Sequence, residues 1–286
     1  MAVLETDGPS RIRLLVLDVD GTVTNSRHEV SPATRQAVRR IHAAGITVML
    51  ATGRRYRDTL GIAETLGLET PLVTASGALV KQPGDHETLF RAAFAPGLLE
   101  SLLGLIVAAG HDPILYTDSY SAGFDFHCRT CDDAAASLRE YLDRNRGLAR
   151  VQADLHLAPP ADAFAGFTMG SRQRMQQLED ELNAAFPGLL SLHTIRSPRY
   201  REWLCEIAPA GITKWSAVAA IATRLGVTPA EVCAVGDDVN DLPMIRAAGL
   251  GVAMGNALPD VQAAADRVVG THDGSGIADV ADLLLS

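Results

Sequence analysis

The amino-acid sequence predicts an α/β fold in which a doubly wound parallel sheet is interrupted by an inserted second domain. Short apolar runs alternate with helix-period segments at both ends of the chain, as in strand–helix–strand units. Two of those runs lead directly into acidic loops, Asp18-Val19-Asp20 and Asp237-Asp238-Val239-Asn240-Asp241. The middle of the chain, from about His86 to Ser197, holds strands and helices but no such motif.

Residues 12–17 (IRLLVL) read as a buried strand, followed by the polar loop DVDGTVTN. Ser31-Pro32 starts a helix, with Ser as cap and Pro at the first helical position. Ala33, Ala37, Val38, Ile41 and Ala44 form its apolar stripe, and Gly45 marks its end. ITVMLA (46–51) is a second strand, TGRR leads into a helix ending near Gly67, and PLVTASGAL gives a third strand and a turn. Toward the C-terminus come a strand WLCEIA (203–208), a helix from Thr213 to Leu225, a strand VCAVG, a loop and helix DDVNDLPMIRAAG, and a strand LGVAM (250–254). The turn at 83–85 and Ser197-Pro198 bracket the middle segment. The expected division is therefore 1–86 with 198–286 as a discontinuous core and 87–197 as an inserted α/β domain.

A chain of 286 residues fits one large domain or two modest ones. Its 47% hydrophobic and 21% charged residues are those of a globular protein that folds without staples. Twenty-five basic against 34 acidic residues give a formal net charge of −9, which argues against nucleic-acid and membrane partners. It leaves room for a small anionic substrate in a local positive pocket. No apolar run has the roughly 18–20 residues of a membrane span, and Leu98 to Ala109 reads as a packed helix. The start MAVLETDGPSRIR lacks the features of a signal peptide, so the expected location is the cytoplasm, with Cys128, Cys131, Cys205 and Cys233 reduced. Cys128 and Cys131 have C-x-x-C spacing without a second pair, and read as ordinary thiols rather than a metal or redox site.

Side chains two apart share a face in extended chain, so Asp18 and Asp20 both point into one site at the strand's carboxyl end. Ligands bind at that edge in open α/β sheets. Asp237, Asp238 and Asp241 follow a second strand. Acids this close repel, and the remedy is a hard divalent cation; Mg²⁺ fits best because no His or Cys clusters with them. Thr52-Gly53, between a strand and a helix, offers a hydroxyl and free N–H groups to a phosphate. Lys214 and Arg54 supply positive charge and Asn240 a neutral donor. Together these describe phosphoryl transfer through an aspartyl-phosphate. Asp18 is the expected nucleophile and Asp20 the general acid/base. Asp18, the Asp20 backbone carbonyl and Asp237 would hold the metal, while Thr52, Lys214 and Asn240 would hold the transferring oxygens.

DVDGT, ATGR, Lys214 after EIAPAGIT, and GDDVNDLPM resemble, in order, the four motifs of the haloacid dehalogenase (HAD) superfamily. LGVAMGNA and DGSGIADV resemble its Cof-type branch of cap-bearing, sugar-phosphate-like phosphatases, subfamily IIB. The resemblance implies a Rossmann-like core, a C2-type cap that sets specificity in the middle segment, metal ligation by Asp18, Asp20 and Asp237, and a supporting role for Asp241. Two departures bear on specificity: Ser76-Gly77 where relatives often carry Asn-Gly, and Trp215 where a Gly often follows the lysine. The expectation is a Mg²⁺-dependent phosphatase of a small phosphorylated metabolite, monomeric or homodimeric. The alternatives are a phosphomutase or phosphotransferase, in which another hydroxyl replaces water, and a non-catalytic phosphate-binding sensor.

Plainer readings apply to other residues. Asp238 reads as a capping or solvated acid. Arg54 and Arg55 read as a solvated helix start, with Arg54 retained as a candidate at the site edge. Tyr116, Asp118 and Tyr120 read as strand-end and turn residues, His28 and His127 as surface or packed histidines, and Trp203 and Trp215 as core.

Overall fold

The computed structural model describes residues 12–131 and 136–286. Most of the N-terminal segment read for an export signal, residues 1–11, lies outside the described residues. The first elements are β1 (Leu14–Leu17), α1 (Pro32–Ala43), β2 (Thr47–Leu50), α2 (Tyr56–Leu66), β3 (Leu72–Thr74), β4 (Leu79–Lys81) and β5 (Thr88–Arg91). Then follow α3 (Leu98–Ala108), β6 (Ile114–Tyr116), β7 (Phe126–Cys128), α4 (Ala136–Asn145), β8 (Ala149–Val151), β9 (Ala165–Gly170), α5 (Arg172–Ala185), β10 (Leu190–Arg196) and β11 (Trp203–Pro209). The chain closes with α6 (Lys214–Arg224), β12 (Val232–Gly236), α7 (Leu242–Ala247), β13 (Leu250–Ala253), α8 (Pro259–Ala264), β14 (Arg267–Val268) and α9 (Gly276–Leu285).

The chain divides into two compact units. One takes the sequence up to Thr52, Ile62–Leu72 and Val218–Ser286. It contains a parallel sheet in the order β14-β13-β12-β1-β2. From β1 the chain runs outward to β2 on one side and later to β12, β13 and β14 on the other, so the strand order reverses between β1 and β12. Such a switch point opens a crevice at the strands' carboxyl ends. All four residues of β1 are fully buried. Their apolar side chains suit a central strand covered on both faces. The helix start at Ser31 follows from its hydroxyl, which accepts from the Thr34 N–H at 3.0 Å, with Pro32 next. Ala37, Val38 and Ile41 are buried along α1, which lies against α9.

The other unit takes Gly53–Gly61 and Val73–Ala217. Its six-stranded sheet runs β10-β11-β9-β6-β7-β8, antiparallel except for the β7–β8 pair. Alternation along the strands feeds two cores. Leu115, Leu192, Cys205 and Ile207 pack with Leu102, Leu103 and Ile106 of α3 and Met175, Leu178 and Leu182 of α5. Ile114, Phe126, Cys128, Phe167 and Met169 pack with Leu138, Tyr141 and Leu142 of α4.

Two strand placements are corrected. The strand expected at 203–208 is not part of the parallel sheet; β11 pairs antiparallel with β10 and β9. The strand in PLVTASGAL is β3, which opens a separate three-stranded sheet, β3-β4-β5. The contacts of the second unit group β4, β5 and β11 with the middle segment. Trp203 is half-buried and packs against the core of α3 and α5, and Trp215 is half-buried.

Candidate active site

The site grows from the carboxyl ends of β1 and β12. The Asp18 N–H donates to the Val235 carbonyl at 3.0 Å, which extends the β1–β12 ladder by one residue and brings Asp18 beside the loop after β12. Carboxylate oxygens of Asp18, Asp237 and Asp241 all lie within 4.8 Å of one another. Asp18 is 5% exposed, Asp241 fully buried and Asp237 half-buried. Carboxylates held this close repel one another, and a bound cation would offset that repulsion.

The surrounding loops are shaped around these carboxylates. Gly21 has φ +74°, and a Cβ there would lie 2.2 Å from Asp237 Oδ2. Only glycine allows the DVDGT loop so close. Thr22, buried beside it, donates from its hydroxyl to Asp237 Oδ1 at 3.2 Å. A Cβ on Gly236 would meet the Asp241 carboxyl carbon at 2.3 Å. Asp241 Oδ2 accepts from the N–H groups of Asp237 at 2.9 Å and Asp238 at 3.1 Å. Asp241 thus shapes the loop that carries Asp237. Asp238 caps the short 3₁₀ turn Val239–Asp241 by accepting from the Val239 N–H at 2.6 Å, as its plainer reading expected.

Segments from the end of the chain buttress the same loop. Asn256 donates to the Gly21 carbonyl at 2.9 Å and accepts from the His272 N–H at 2.9 Å. Asp273 accepts from the Ser26 N–H at 2.8 Å. LGVAMGNA and DGSGIADV thereby hold DVDGT in shape.

Asp20 is half-buried, and its carboxylate lies 3.6 Å from His28 Nδ1. The loop returns on itself to make this contact, with Thr24 Oγ1 donating to the Val19 carbonyl at 3.0 Å. His28, with φ +61°, stands exposed at the turn. The sequence reading placed it among surface or packed histidines, since no local pattern pairs it with Asp20. Thr52, 1% exposed, follows Ala51, whose N–H donates to the Leu17 carbonyl at 2.9 Å. It therefore stands at the same carboxyl edge, one strand over from Asp18. Asn240, 6% exposed, lies in the 3₁₀ turn.

The cluster consists of hard oxygen donors, with no His or Cys in the group. That donor set suits Mg²⁺.

Gly53, Arg54 and Lys214 belong to the second unit. Lys214 is 2% exposed and opens α6. The helix starts there because Thr213 and Ser216 cap each other. The Thr213 N–H donates to Ser216 Oγ at 2.9 Å, and the Ser216 N–H to Thr213 Oγ1 at 3.1 Å. Composition held a signal here: Lys81 and Lys214 are the chain's two lysines, and both are buried. Lysines are almost never fully buried unless paired. Lys81 has its partner in Asp118, at 2.7 Å.

Arg55 overturns its reading as part of a solvated helix start. It is 7% exposed, donating from Nε to Asp58 at 2.8 Å and from Nη2 to Asn145 at 2.7 Å. Asp125 lies 3.8 Å from Nη1 and is gripped by Arg57 Nε at 3.0 Å. Burial opposes the Arg55 charge, but Tyr141 and Asp58 outweigh it and raise its pKa. Burial raises the Asp125 pKa, with Arg55 and Arg57 pulling the other way. Tyr116, Asp118 and Tyr120 line one cleft with Arg55, Asp125 and Phe164, so these strand-end and turn residues share a surface with a buried charge network. Cys128 and Cys131 are buried with sulfurs 3.7 Å apart, and burial pushes the Cys128 thiol up to about 12.

A parallel sheet with acids gathered at its switch point places this protein among α/β folds whose ligand site lies at the strands' carboxyl ends. The sequence profile of haloacid dehalogenase-like hydrolases matches residues 15–280, and the chain belongs to that family. Phosphatase YwpJ of Bacillus subtilis (strain 168) is 28% identical, over 96% of this chain and 100% of its own. The HMP-PP phosphatase of Cronobacter sakazakii (strain ATCC BAA-894) is 28% identical over 88% and 87%. The solved structure of BT4131, a sugar phosphatase of HAD subclass IIB, shares the fold with a TM-score of 0.76 at 20% identity, covering 95% of this chain and 98% of its own. The chain is an enzyme of the phosphatase branch of its family.

Proposed function

We propose that the protein is a Mg²⁺-dependent phosphatase that hydrolyses a small phosphomonoester, of sugar-phosphate type, through an aspartyl-phosphate on Asp18. The observation that carries this reading is the triad of Asp18, Asp237 and Asp241 at the switch point, three carboxylates close enough to share one cation beside a phosphoryl group. One Asp18 oxygen attacks phosphorus as the bond to the leaving oxygen breaks. Asp20 donates its proton to that oxygen, then takes one from water, whose oxygen displaces the Asp18 carboxylate. Asp18, Asp237 and the Asp20 backbone carbonyl would hold Mg²⁺, which would supply charge neutralisation for an anion attacking an anion. Thr52, Asn240, Lys214 and the Gly53–Arg54 segment hold the transferring oxygens. Asp241 orients Asp237. The inserted segment 87–197 serves as the cap that selects the leaving group, and the enzyme works in the cytoplasm, where its thiols stay reduced.

Asp18→Asn tests the nucleophile. Phosphate release should fall by about 10⁴-fold or more, while thermal unfolding shows an intact, cooperatively folded protein. Wild-type turnover in that variant would end the reading.

A further inference from the structure

Ala75 (φ 48°) and Ser76 (φ 55°, ψ 30°) are successive non-glycine residues in left-handed backbone. Such strain persists where surrounding contacts over-determine it, and it collects at functional sites. Three contacts hold this turn, and each leads somewhere specific. The Ala75 N–H donates to the Arg54 carbonyl at 2.8 Å, which ties the turn to the ATGR segment. The Ser76 hydroxyl donates to Glu206 Oε2 at 2.8 Å. Gly77, at φ +100°, lies so close to the start of α6 that a Cβ would be 2.1 Å from the Thr213 carbonyl oxygen and 3.1 Å from the Lys214 nitrogen. The turn therefore links the backbone of Arg54 to the peptide between Thr213 and Lys214.

We infer that Glu206 is a positioning residue that acts through Ser76 on this turn, and through the turn on Lys214. The inference rests on the proposed role of Lys214 and extends it to a residue with no place in the chemistry itself. Glu206 is well placed to act as a fixed anchor. It lies mid-strand on β11, opposite His193 of β10 and Phe167 of β9, so its backbone is held from both sides. A carboxylate accepting from a hydroxyl makes a stronger bond than a neutral pair. Asparagine, aspartate and histidine tolerate left-handed backbone several-fold better than other non-glycine residues. Serine does not share that tolerance and depends more on an outside hold, which Glu206 supplies. Without that bond the turn relaxes, Gly77 withdraws from the Thr213 carbonyl, and the first turn of α6, with Lys214 on it, loosens.

The chain's two lysines allow a test that does not depend on turnover. Native protein is acetylated with acetic anhydride, and modification of Lys214 is read by peptide mass spectrometry against Lys81 as internal reference. Glu206→Ala and Ser76→Ala should each raise the Lys214-to-Lys81 ratio by about threefold or more, as local opening exposes the amine. Each should also lower kcat for a phosphomonoester by about tenfold to a hundredfold, the scale of a small misplacement of a catalytic group. Glu206→Gln, which keeps an accepting oxygen, should restore both readouts toward wild type. Ser76→Gly removes the strain, so adding Glu206→Ala in that background should cost nothing further, and this pair decides the matter if the alanine variants fold poorly. An unchanged labelling ratio in both alanine variants, a full Glu206→Ala loss in the Ser76→Gly background, or a Glu206→Gln variant as damaged as Glu206→Ala would overturn the inference. Failure of the phosphatase reading is separate: wild-type protein would then release no phosphate, and the labelling would still decide whether Glu206 holds Lys214.

Discussion

Around Asp18 the parallel-sheet unit packs carboxylate against carboxylate, whereas around Arg55 the other unit buries guanidinium against carboxylate. The first cluster has Asp18, Asp237 and Asp241 within 4.8 Å. The second pairs Arg55 with Asp58 and Asp125, Arg57 with Asp125, and Lys81 with Asp118. Opposite charges in a low dielectric hold one geometry and are damaged by loss of either partner. Like charges do the reverse: they repel, and a bound cation would offset that repulsion. Burial alone therefore does not mark an active site; the sign of the neighbours does.

Removing one partner from each kind of cluster separates the two. Arg55→Ala should destabilise the protein by about 3–5 kcal/mol in urea unfolding, because Asp58 loses its nearest counter-charge and the buried Asn145 its guanidinium partner. Arg57→Ala, at a more exposed guanidinium, should cost about 1 kcal/mol or less. Equal effects would mean that the Arg55 network is not what holds this region.

A smaller effect is expected one bond away from the acids. Thr22→Val removes the hydroxyl that donates to Asp237 Oδ1. The Mg²⁺ concentration for half-maximal activity should rise by about 10-fold to 100-fold, the usual cost of losing an orienting partner. Unfolding should change little. A stability loss with unchanged Mg²⁺ response would place Thr22 with the packing instead.

The smallest effect belongs to the thiols. Burial pushes Cys205 and Cys233 up to about 12, as it does Cys128. All three stay neutral at pH 8, so iodoacetamide should label them only on unfolding. Because these folded-state values are raised, the stability they carry is complete below the ordinary thiol range of about 8.5 and is lost as pH climbs toward 12. Melting temperatures measured from pH 8 to 11 check the sign.

The acidic cluster was legible in sequence because its chemistry is local. Asp18 and Asp237 each follow a short apolar strand, and a glycine stands three residues after one and directly before the other. The Arg55 network was not legible: Asp125 and Asn145 lie 70 and 90 residues further on, and no local pattern announces such a partner. The strand at 203–208 was found but assigned to the wrong sheet, since a short apolar run says that a strand is buried without naming its neighbours. Only pairing with β9 and β10 decides that, and that information is long-range.

The most direct test of the central claim is phosphate release from para-nitrophenyl phosphate by chelator-treated protein, before and after Mg²⁺ is restored. The account predicts negligible release without the cation, recovery when it is added, and no recovery in Asp237→Asn. Undiminished release in excess chelator would contradict it.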